Sequence, residues 1–104
     1  MTSEPYAVER HWHGVAPDGT EHAVVFRVGA PRPHEQGDWT ADVAIIPMQS
    51  TPYAIIGIDS WQAVELGMHH IVVMTKHYYE LGWRFYWERG GEEAPPTDLQ
   101  RNPE

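Results

Sequence analysis

Large apolar residues alternate with polar ones through the first half of the chain. From Tyr6 to His13, the residues Tyr6, Val8 and Trp12 fall on one face and Glu9, His11 and His13 on the other. A period of two marks a half-buried strand, and only Arg10 breaks it. Pro17-Asp18-Gly19 suits a tight turn, since proline presets φ and glycine accepts positive φ. A second strand, His22 to Val28, closes the hairpin. Pro31 and Pro33 make residues 29–37 a loop. In a third strand Trp39, Ala41, Val43 and Ile45 share the core face, and Pro47 ends it. After a polar turn from Met48 to Pro52, the run Tyr53 to Ile58 supplies a fourth strand.

The period then changes. Val64, Gly67, Met68, Ile71, Thr75 and Tyr78 recur at three- and four-residue spacing, the stripe of an amphipathic helix lying on a sheet. Asp59 followed three residues later by Gln62 reads as a capping box that starts this helix, and Gly82 is a natural stop. Gly67 inside the stripe implies close backbone packing. Alternation returns at Trp83, Phe85 and Trp87, a fifth strand placed at the sheet edge. The expected architecture is α+β, an antiparallel four- to five-stranded meander with one long helix packed on one face. Residues 1–91 form the single domain, and 92–104, polar and proline-bearing, form a loosely ordered tail.

Charge narrows the functional classes. Fifteen acidic residues against seven basic ones give −8, spread along the chain rather than gathered in a block. Phosphate contacts need clustered Lys and Arg, so direct nucleic-acid binding is disfavoured. A basic protein partner would instead be steered toward this surface. With no cysteine, the chain has no thiolate metal site, disulfide or cysteine nucleophile. No apolar run reaches the length of a membrane span and the first residues lack the pattern of an export signal, so a cytoplasmic location is expected and a membrane partner is not.

Candidate chemistry is sparse. Seven histidines invite a metal. His11 and His13 share a strand face, and His70 and His77 share a helix face, so each pair has two imidazoles to offer one ion. Neither pair has the spacing of a zinc-binding helix motif, so surface histidines are the expected reading and a histidine-dependent metal module is the alternative. Serines lie in no nucleophile elbow, and no phosphate-binding glycine loop is present. No cofactor is expected. Tyr78, Tyr79, Trp83, Phe85, Tyr86 and Trp87 are more aromatics than one core face takes, which makes Tyr79 and Tyr86 candidate anchors for a partner. Glu65, Glu80 and Glu88 are the acids expected to steer that partner in. The same edge strand or aromatic cluster admits a homodimer.

The block Gly57-Ile58-Asp59-Ser60-Trp61-Gln62-Ala63, with Asp38-Trp39 before it and a late Trp87 after it, resembles a family of small uncharacterised bacterial domains that carry Gly-x-Asp-Ser-x-Gln-Ala at a helix start. The resemblance supports the strand-to-helix junction and implies no activity. In size and charge alone the chain is similar to immunity proteins that neutralise bacterial toxins. The expected function is therefore non-enzymatic protein binding, an immunity-type inhibition of a basic bacterial toxin.

Overall fold

The computed structural model describes residues 6–100. Six strands, one long helix and a short 3-10 helix follow in the order β1 Tyr6–Val15, β2 Glu21–Gly29, β3 Arg32–Pro33, β4 Trp39–Ile46, β5 Gln49–Gly57, α1 Ser60–Glu80, β6 Arg84–Tyr86 and the 3-10 turn Pro96–Gln100. The α+β class, with an antiparallel sheet and one helix on one face, is the one the alternation implies. β6, β1, β2 and β4 are neighbours in that order, β5 pairs the far side of β4, and β3 pairs the start of β4.

Register explains which alternation is buried. Trp12 faces Val24, Arg10 faces Phe26 and Phe26 faces Ile45, so these positions share the helix-covered face. Trp12, Val24, Phe26, Val28, Ala41, Val43, Ile45 and Phe85 form the core with Ala63 and Ile71 of α1. Arg10, the apparent break in the pattern, lies on this inner face. Within the helix the buried stripe is Ala63, Gly67, Ile71, Val72 and Thr75. Met68 was expected in that stripe and is 46% exposed instead. The close packing expected at Gly67 is present, because a Cβ there would stand 3.0 Å from Val43 Cγ1.

Three segments differ from expectation. Residues 29–37, read as a loop, contain the end of β2 and the two-residue strand β3, which pairs with β4 alone and so tolerates Pro33 in the way an edge strand does. The turn before the fourth long strand is shorter, since β5 begins at Gln49 and an irregularity in its pairing with β4 absorbs the residues around Pro52. The segment read as a loosely ordered tail instead returns along β6. Trp87 N–H donates to Glu92 O at 3.0 Å and Ala94 N–H to Phe85 O at 2.8 Å, and Ala94, Pro96 and Asp98 are buried. Small residues and prolines pack well once the strand and helix provide a surface, which polarity counted along the chain does not register. Residues 101–104 lie outside the described part. Among the described residues no helix is long and apolar enough to cross a membrane.

Candidate functional site

β5 is an edge strand, and its sequence Gln-Ser-Thr-Pro-Tyr-Ala-Ile-Ile-Gly contains no charged residue. Edge strands are ordinarily protected by charges, prolines, bulges or a covering segment. Here Pro52 and the pairing irregularity protect one end only. The opposite edge, at β6, is three residues long and is paired by residues 92–94. Nine large hydrophobic side chains are exposed among the described residues, and four of them, Tyr53, Ile56, Ile58 and Trp61, fall within this strand, the turn after it and the first turn of α1. Tyr53 lies on the helix side of the strand and Ile56 on the other, so the edge carries exposed apolar side chains on both faces.

The turn is held rigidly. Gln62 N–H donates to the N-cap side chain at Asp59 Oδ1 at 2.8 Å, the first half of a capping box, and Gln62 Oε1 accepts at 2.8 Å from Ile58 N–H, one residue before the N-cap N–H that the motif prescribes. Gly57 brings strand and helix together, since a Cβ there would stand 2.5 Å from Ala63 N and 2.9 Å from Ala63 Cα. With backbone this close, Ile58 and Trp61 have no room beneath the helix. They project outward, 73% and 78% exposed. Tyr53 lies on the helix-covered side of the strand, its ring stacked on His70 with centroids 5.1 Å apart and planes 4° from parallel. His70 Nε2 is buried without a hydrogen-bond partner, and burial holds the imidazole below its ordinary range.

The residues proposed from sequence do not converge on one surface. Glu65 sits four residues after Trp61, hence on the same helix face, and the two line a groove with residues of β1 and β2, whereas His70 marks the helix flank that meets β5. Glu80 is fifteen residues further along the helix, about 22 Å away at the helical rise. Tyr79 is half-buried against the core, with the Arg84 guanidinium 4.2 Å from its ring centroid. Tyr86 is half-buried on the opposite sheet face, paired with His13, and Glu88 lies in the exposed turn after it. Periodicity assigns faces but not strand order, so it could not show that β5 and β6 are opposite edges.

The histidines also separate. His11 Nε2 is 2.6 Å from Glu9 Oε1, and His13 Nε2 is 2.8 Å from Glu21 Oε1, both on the sheet face away from α1. The hydrogen bond from His11, followed by Arg27, holds the Glu9 carboxyl below its ordinary range. His70 stacks on Tyr53, while His77 is exposed beside Tyr78. Among the described residues no group of three or more His, Cys, Asp or Glu is arranged to hold a metal ion.

Residues 8–95 match a family model described as a domain of unknown function. No curated protein and no solved structure matches the chain.

Proposed function

The chain belongs to the DUF6968 family, a domain of unknown function, and we propose that it acts as a non-enzymatic protein-binding protein whose docking surface is the β5 edge with Ile58 and Trp61. One observation carries this reading: an uncharged nine-residue edge strand runs into a rigid turn that presents an indole 78% exposed. Tryptophan is the residue type most enriched among interface anchors, and an uncovered edge offers backbone groups to an incoming strand. The uncharged strip lies in a chain of net charge −8, with Asp59 in the turn that follows it and Glu65 on the helix face that carries Trp61. Acids around an apolar centre steer a basic partner in and leave the centre to hold it. That is the arrangement an immunity-type inhibitor of a basic bacterial toxin would use, and the helix-start block Gly57 to Ala63 lies inside the matched residues.

Capture of a basic protein from an extract of the encoding organism tests the reading. The wild type should retain a partner that Ile56→Lys and Trp61→Ala both lose, with circular dichroism unchanged. Retention by both variants would place the interface elsewhere. A second copy of the chain is the other occupant this edge favours, because a strand without charge meets no like charge across a two-fold axis. Light scattering over a concentration series separates the two: a dimer abolished by Ile56→Lys identifies self-association.

A further inference from the structure

Helix α1 rides over β4 and β5, and the returning segment leaves β6 at Ala94 and packs its 3-10 turn against α1. Between them a groove of about 1200 Å³ stays open above β1 and β2. Val8, Val28, Met68 and Ile71 give it a mostly apolar lining, with Glu65 and His69 among its polar residues. The volume matches or exceeds the usual range for small-molecule sites.

One cation stands in this apolar wall. Arg10 is half-buried on the inner face of β1, opposite Phe26. Its guanidinium lies 5.6 Å from the Trp87 ring centroid and donates only two long hydrogen bonds, 3.4 Å to Asp98 O and 3.5 Å to Leu99 O. Both are near the limit of useful geometry. Arg10 makes no ion pair among the described residues. The nearby carboxylate of Glu9 accepts from His11 and Arg27 on the other side of the sheet. A guanidinium carries five donors in a fork that matches a carboxylate, and leaving it unpaired in apolar surroundings is costly.

We infer that the groove is a binding site for a small amphipathic carboxylate, a fatty-acid-like molecule whose head pairs with Arg10 and whose chain lies along Val8, Val28 and Met68. Each part of such a molecule meets an unmet need of the groove. The chain covers Val8 and Met68, which are 42% and 46% exposed, and the head offers a carboxylate to a guanidinium that has no ion pair among the described residues. Charges beyond about 8 Å are largely screened at physiological salt, so of the −8 excess only acids near the groove, such as Glu65 in its lining, oppose the head. Trp61 and Glu65 of the proposed docking surface also line this groove, but the substitutions at Arg10 and Val8 leave them in place, so the inference stands whether or not that surface binds a partner.

Titration calorimetry with decanoate and with decanol tests the inference on the unmodified chain. Decanoate should bind and decanol should bind more weakly. Arg10→Met, which keeps an apolar stem of similar length, should weaken decanoate by about tenfold or more and leave decanol unchanged. Val8→Trp, which fills the groove from an exposed position, should weaken both. Equal affinity of acid and alcohol, indifference to either substitution, or absence of decanoate binding would overturn it.

Discussion

At the scale of single residues, His70 is a half-buried histidine whose surroundings disfavour its charged form. Its ring stacks on Tyr53 and its Nε2 is buried without a partner, and burial, then the neighbouring His69, disfavours the charged form. The unfolded chain takes up this proton near an ordinary pKa of about 6.5, whereas the folded chain resists it. Stability from this group is therefore full above about pH 7 and falls as the pH drops below about 6.5, levelling only once the folded imidazole titrates. His70→Phe keeps a ring against Tyr53 and removes the proton. Between about pH 7 and about pH 5.5 the urea midpoint of the wild type should fall more than that of the variant, and equal falls would exclude His70 as the source. Gly57 makes a second prediction. An added Cβ meets backbone atoms of Ala63 and Gln62, which cannot rotate away, so Gly57→Ala should cost about 1 to 3 kcal/mol in chemical denaturation. Gly67 differs in kind, because the atom nearest its Cβ is a valine methyl that has some freedom to move.

At the scale of elements, the helix was legible because its signals are local. Asp59 caps the helix as expected, Gln62 reaches back to Ile58 rather than to Asp59, and α1 runs from Ser60 to Glu80 as the stripe and Gly82 require. Signals at the strand ends were weaker. The aromatic run Trp83, Phe85 and Trp87 does face the core, yet only Arg84–Tyr86 forms strand, since pairing with β1 covers His13 to Val15. Residues 92–100 carried no periodic signal and still close the core. Deletion from Glu92 onward should uncover Phe85 and Trp12, lower stability by about 2 kcal/mol or more and raise binding of a hydrophobic dye. A loosely ordered tail would be removed without either effect.

At the scale of the whole molecule, the charge excess and the apolar edge have different consequences. Steering by a net charge of −8 acts over a screening length, so the association rate with a basic partner should fall steeply as salt rises while dissociation stays nearly constant. Stopped-flow or surface-binding kinetics across a salt series measures this. Glu65→Gln, beside Trp61, should slow association more than Glu80→Gln or Glu88→Gln, which lie far from β5. Equal effects from all three would mean that steering is uniform over the surface.

The sequence by itself determined which segments are strands or helix and, for most of them, which face turns inward, because the periods of two and about 3.6 and the caps act between near neighbours. Only the tertiary structure decided what those faces meet. Arg10 breaks the alternation of one strand when read alone, but lies in a groove wall once β2, α1 and the returning C-terminal segment are assembled. Tyr53 to Gly57 reads as an ordinary apolar strand until its pairing with β4 alone makes it an edge. Hydrogen bonding between strands distant in sequence, and the position of one helix across them, set exposure, and no local pattern encodes either.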